Sequence, residues 1–142
     1  MLFRSLSAYL FIIVLEILCI SIRRNKDIQG ITVDTEEIKL GLFADDLTGF
    51  LKNNNSLENF LELVEAFGEC SGLRINHDKS EVMLLGNRER LSLRNDTEIK
   101  DIKIKHSVKI LGVHFTYDSR AKRKLNFDEI VTSVKQKLHI WR

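Results

Sequence analysis

The stretch from Leu6 to Ile22 is apolar except at Ser7, Glu16 and Ser21. A helix that is hydrophobic nearly all round needs apolar surroundings on every side, inside a large protein or in a bilayer. Arg23, Arg24 and Lys26 follow as a positive flank. Glu16 nevertheless interrupts the middle, and the stretch falls short of the roughly 20 residues of a membrane span. No small-residue cleavage position follows, which argues against a signal peptide. The preferred expectation over a membrane anchor is a helix made for a larger core, part of which is missing here, with Tyr9 and Phe11 inside that core.

Beyond it the period changes. Gly30 to Val33 and Ile38 to Phe43 read as strands joined through Asp34-Thr35-Glu36, and Leu47 to Leu51 leads out of the second as its hairpin partner. Ser56 is expected to cap a helix in which Leu57, Phe60, Leu61, Val64 and Phe67 recur at helical spacing. Glu58, Glu62, Glu65 and Glu69 lie largely on the opposite, solvated face, and Ser71-Gly72 marks the end. Glu81 to Leu85 reads as a strand, and Ile102, Ile104 and Val108 to Phe115 as further strands. Asp128 to Trp141 reads as a closing amphipathic helix packed through Trp141. The pattern predicts an α+β fold, an antiparallel sheet with packed helices.

Composition adds bounds. The chain has 142 residues, 44% apolar and 30% charged, which suits one globular unit. It has no proline, and no linker or repeat is visible. Cys19 and Cys70 lie far apart with no metal-ligand spacing, so neither a disulfide framework nor a zinc site is indicated and an intracellular, reducing setting fits. Residues 1–87 carry 8 Lys/Arg against 13 Asp/Glu, whereas residues 88–142 carry 14 against 7. Such a split suits a protein that holds cations beside a polyanion, although charge alone favours a set of solvated faces.

The chemistry centres on Asp45 and Asp46, placed at the tip of the expected hairpin. Neighbouring carboxylates repel each other, and partial burial between apolar strands would add to the cost, so a divalent cation is their natural partner.

Phe43-Ala44-Asp45-Asp46 resembles the aromatic-x-Asp-Asp box of reverse transcriptases. Gly72, 26 residues after Asp46, opens Gly72-Leu73-Arg74-Ile75-Asn76-His77-Asp78-Lys79-Ser80, similar to the Gly-Leu-x-x-Asn-x-x-Lys-[ST] segment of LINE-type, non-LTR retrotransposon enzymes. Lys109-Ile110-Leu111-Gly112-Val113-His114-Phe115 resembles their Leu-Gly-x primer-grip hairpin. Upstream, Ser5-Leu6-Ser7-Ala8-Tyr9-Leu10-Phe11 is similar to Pro-Leu-Ser-Pro-x-Leu-Phe with both prolines replaced, and the preceding Gln-Gly pair is absent.

The resemblance implies part of the palm of a right-hand polymerase, with fingers, first catalytic aspartate and thumb outside residues 1–142. It implies RNA-directed DNA synthesis on an RNA template with a DNA primer and deoxynucleoside triphosphates, through two Mg²⁺ ions about 3.5 to 4 Å apart. Asp45 and Asp46 would be the catalytic, metal-binding carboxylates. Gly72 and Asn76 would shape the turn that brings Lys79 to the triphosphate, and Leu111, Gly112 and Val113 would hold the primer. With one carboxylate missing, no activity is expected of this chain alone. The alternative is a non-catalytic retroelement remnant serving as a nucleic-acid-binding or membrane-anchored module. Without the longer segments the bland readings win: Lys79 as a surface lysine, Asn76 as a turn residue, Gly112 as a bulge.

Overall fold

One stripe of the first helix supplies four of the nine buried apolar residues among those described. The computed structural model describes residues 2–86 and 98–139, which divide into two compact units, Met1–Ile75 and Asn76–Arg142. In the first unit, helix α1 (Leu2–Arg24) buries Leu15, Leu18, Cys19 and Ile22, spaced i, i+3, i+4 and i+7, against helix α2 and strand β3. Leu6, Tyr9, Leu10, Ile12, Ile13 and Ile17, all on the remaining surface of α1, are more than half exposed. Tyr9 is therefore not a core residue, and Phe11 is half-buried. The segment Leu6–Arg24 has the length and hydropathy of a membrane span and is 22% buried, through the stripe in its C-terminal half. Lys39 caps it: Nζ donates to Arg23 O at 3.1 Å and to Asn25 O at 2.7 Å, satisfying carbonyls that the helix end leaves free.

The strands that follow are shorter than the apolar pattern suggested. The expected strand Ile38–Phe43 is two strands broken at Lys39: β2 (Glu36–Ile38) pairs with β1 (Ile31–Val33), and β3 (Leu40–Phe43) pairs with β4 (Asp46–Gly49), both antiparallel. Glu36 belongs to β2 rather than to the turn. The Lys39 backbone is displaced from the first ladder because its carbonyl accepts from Phe50 N at 2.8 Å. Gly30 bridges Leu51, and a Cβ at Gly30 would run into the Ile38 carbonyl, so only glycine fits there.

Helix α2 (Asn54–Ser71) is capped by Asn53 rather than Ser56: Asn53 Oδ1 accepts from Ser56 N at 2.7 Å. Ser56 is instead fully buried, and its Oγ accepts from Gln29 N at 3.0 Å. Phe60 and Leu61 are buried with it, and the four glutamates lie on the exposed face as the spacing predicts. The helix ends at Gly72, whose φ of 75° permits its N–H to donate to Gly68 O at 2.9 Å.

The second unit begins with strand β5 (Glu81–Val82), shorter than expected because Met83 to Leu85 pair with no strand among the described residues. It runs parallel to β7 (Ile102–Ile104), which also pairs antiparallel with β6 (Glu98–Ile99), so the strands form small separate sheets rather than one antiparallel sheet. Lys105 and Glu81 form an ion pair across β5 and β7. Strands β8 (Ser107–Ile110) and β9 (Val113–Thr116) make a hairpin. Helix α3 (Ser119–Arg123), capped by Asp118, runs through a π-turn (Lys124–Asp128) into helix α4 (Glu129–His139). Helical structure thus starts nine residues before the expected Asp128, and the expected end at Trp141 lies outside the described residues. The architecture is α+β, helices with small, mostly antiparallel sheets.

Candidate functional site

The acidic pair occupies the closed end of the β3–β4 hairpin. Phe43 pairs with Asp46, leaving Ala44 and Asp45 as the two loop residues. Ala44 has φ 53°, in the left-handed region where a non-glycine residue is uncommon. Asp45 is therefore the second loop residue, and Asp46 opens β4. Both side chains are exposed, so the partial burial expected between apolar strands does not occur. Water screens their repulsion instead. Neither carboxylate has a hydrogen bond or ion pair with a described residue.

The base of this hairpin is firm while the tip is bare. Leu40 is buried, and a Cβ at Gly49 would lie 3.2 Å from Phe60 Cζ, so β4 passes directly over the α2 aromatic. Lys52 N donates to Gln29 O at 3.0 Å, tying the strand exit to the residue that Ser56 holds. Phe43, the aromatic of the box, is 65% exposed.

Among the described residues, no three His, Cys, Asp or Glu side chains gather closely enough to hold a metal ion. Asp45 and Asp46 still fit as a partial donor set. Mg²⁺ is commonly bound through one or two carboxylates, with water and substrate phosphates completing its octahedron.

Gly72 lies in the first unit as the α2 C-cap, with open space around the position of its missing Cβ. Asn76 and Lys79 lie in the second unit and belong to one turn. Lys79 N donates to Asn76 O at 3.1 Å and to Asn76 Oδ1 at 3.2 Å, while Ser80 N and Oγ both donate to Asn76 O at 2.9 Å. Asn76 thus builds the turn that displays Lys79, whose side chain is exposed.

Leu111 and Gly112 are the two loop residues of the β8–β9 hairpin, with φ 49° and 84°. Positive φ at both positions is the type I′ pattern, so Gly112 forms a tight turn rather than a bulge. Leu111, 57% exposed, and Val113, 46% exposed, present an apolar tip. Arg120, Lys122, Arg123 and Lys124 are all exposed on the helix that follows.

Sequence reasoning missed Asn126. Its side chain binds both backbone groups of His114 in β9. A lone asparagine inside a helical pattern gives little signal, although its poor helix propensity marks it as a residue kept for its hydrogen bonds.

A model of the family described as Reverse transcriptase (RNA-dependent DNA polymerase) matches residues 4–115, well over half of the chain.

Proposed function

The chain belongs to the reverse transcriptase family, and we propose that it carries the palm residues for RNA-directed DNA synthesis of the LINE-type, non-LTR retrotransposon kind. The observation that carries this is the pair Asp45–Asp46, Asp45 ending the two-residue loop and Asp46 opening β4 over an anchored hairpin base, with both carboxylates unengaged among the described residues. Side chains so placed are available to ligands and held in register by the strands beneath.

In this reading Asp45 and Asp46 bind Mg²⁺ together with a carboxylate from another segment. Mg²⁺ held by these carboxylates would supply charge neutralisation for nucleotidyl transfer. Lys79 faces the triphosphate of an incoming deoxynucleotide as a point charge, held out by the turn that Asn76 makes, with Gly72 closing the helix before it. Leu111, Gly112 and Val113 lie along the primer strand, where the tight turn lets backbone approach backbone. The template is RNA, and the exposed Arg and Lys side chains of α3 and the π-turn contact phosphates.

Titration of the chain with Mn²⁺, followed by paramagnetic broadening of backbone amide signals, tests the acidic pair. Broadening should centre on Phe43 to Leu47 and disappear in Asp45→Asn/Asp46→Asn. Broadening elsewhere, or unchanged in the variant, removes the metal reading. The polypeptide of residues 1–142 should not extend a primer on an RNA template with Mg²⁺ or Mn²⁺, since no third ligand stands near the pair among the described residues. Extension that Asp45→Ala abolishes would show the site complete.

A further inference from the structure

The hairpin tip Leu111–Gly112–Val113 is aimed by a side chain outside the hairpin. In an antiparallel pair, residues alternate between those that exchange both backbone hydrogen bonds and those that exchange none. With Ile110 and Val113 closing the two-residue loop as a bonded pair, His114, opposite Lys109, turns its N–H and C=O away from β8. Such outward groups are the free edge of a sheet.

Asn126 takes both. His114 N donates to Asn126 Oδ1 at 2.7 Å, and Asn126 Nδ2 donates to His114 O at 2.8 Å. Nδ2 also donates to Lys122 O at 3.0 Å, so the same amide grips the helix on which it stands. A carboxamide offers a donor and an acceptor side by side, the match for one residue's backbone edge, and three bonds of fixed polarity leave its orientation no choice. Asn126 lies in the middle of the π-turn Lys124–Asp128, and such turns inside helices collect at functional positions. His114 directly follows Val113, so any shift of the helix passes to the tip within one residue.

We propose that Asn126 is a positioning residue for nucleic-acid binding. It holds the apolar tip at a fixed angle to the helix bearing Arg120, Lys122, Arg123 and Lys124, so that tip and basic side chains engage one primer–template duplex together. This rests on the primer-contact reading of Leu111, Gly112 and Val113.

The test is fluorescence anisotropy of a labelled primer–template duplex with the chain of residues 1–142, in a double-substitution cycle. Leu111→Asn removes the apolar tip with a residue that tolerates the left-handed region. Asn126→Ala removes the grip. Each should weaken binding roughly three- to ten-fold, the factor that one or two lost hydrogen bonds or a small contact represent. Because Asn126 acts through the tip, the double variant should bind no more weakly than the weaker single one. A purely structural role would instead multiply the two effects, and that outcome overturns the proposal. Hydrogen exchange of the His114 amide gives a second readout, with faster exchange expected in Asn126→Ala. Asn126→Asp serves if the alanine variant does not fold, since it keeps the acceptor for His114 N while setting an oxygen against two carbonyls. Its affinity should fall as far as that of the alanine variant. Loss of affinity in Leu111→Asn alone, with Asn126→Ala and Asn126→Asp both unchanged, sinks the coupling and spares the primer-contact reading. An unchanged Leu111→Asn removes both.

Discussion

Replacing Ser56 with alanine isolates one partly buried hydrogen bond that ties α2 to the segment entering the strands beneath the acidic hairpin. Ser56 is fully buried and its Oγ accepts from Gln29 N at 3.0 Å. Gln29 O in turn accepts from Lys52 N, and the adjacent Gly30 bridges Leu51 at the exit of the hairpin. Alanine nearly preserves the volume, so no large cavity complicates the comparison. What changes is a partly buried N–H left without its acceptor, which costs about 1–3 kcal/mol. Taking about 2 kcal/mol, and a shift of about 4–8 °C per kcal/mol for a unit this small, the melting temperature should drop by roughly 10 °C. Urea unfolding followed by far-UV circular dichroism measures the loss, and hydrogen exchange at Gln29 localises it. Ser21→Ala, an exposed serine bonded only within its own helix to Ile17 O, should stay within about 0.5 kcal/mol of the parent. If Ser56→Ala behaved like Ser21→Ala, with Gln29 exchange unchanged, the anchoring argument would fail.

Four further outcomes are expected. Duplex affinity should fall steeply with salt, with a slope near −0.9 in log affinity against log salt for each neutralised B-DNA phosphate, and replacing Arg120, Lys122, Arg123 and Lys124 by glutamine should flatten it; an unchanged slope in that variant would remove the basic cluster from the interface. The bare face of α1 should make the chain self-associate in detergent-free buffer, and Ile13→Glu/Ile17→Glu should raise the monomer fraction in sedimentation velocity, whereas a monodisperse parent would refute this. Burial raises the Cys19 thiol above its ordinary 9.0, helped by Glu16 and opposed by Arg23, so a disulfide reagent should titrate the exposed Cys70 first and Cys19 only on unfolding. Because the folded thiol keeps its proton to higher pH than the unfolded one, its contribution to stability is complete below pH 9.0 and is lost as pH rises from there; a Cys19→Ala variant with the same alkaline fall would contradict the assignment.

Elements whose burial comes from their own period were legible from residues alone. The α2 stripe through Phe60 and Leu61 and its stop at Gly72 follow from helical spacing and glycine geometry, and the acidic hairpin from turn chemistry. The errors fall where a tertiary partner decides. Three consecutive asparagines precede Ser56, and only the structure shows that Asn53 caps while Ser56 faces Gln29. Ile38 to Phe43 is a continuous apolar run except at Lys39, and it breaks there because the Lys39 carbonyl leaves the first ladder to accept from Phe50 N. The early start of α3 carries almost no apolar signal, since Ser119–Arg123 is polar except at Ala121. At the site, the apolar runs on either side place the acidic pair at the hairpin tip, Asp45 in the loop and Asp46 opening β4, but both are exposed rather than partly buried.

Each antiparallel hairpin among the described residues closes through two loop residues: Asp34–Thr35, Ala44–Asp45, Lys100–Asp101 and Leu111–Gly112. Ladders this local form in about 1–10 μs, and with no proline in the chain no slow isomerisation delays them. Synthesis adds only about 5–20 residues per second, so every hairpin can close before the next residue joins. Helix α1 has the opposite fate. Its Leu15, Leu18, Cys19 and Ile22 stripe must wait for Phe60 and Leu61, about 40 residues and several seconds later at that pace. During that interval the most apolar helix of the chain lacks its helical partner, and the acidic hairpin closes while the nascent chain is still exposed to aggregation.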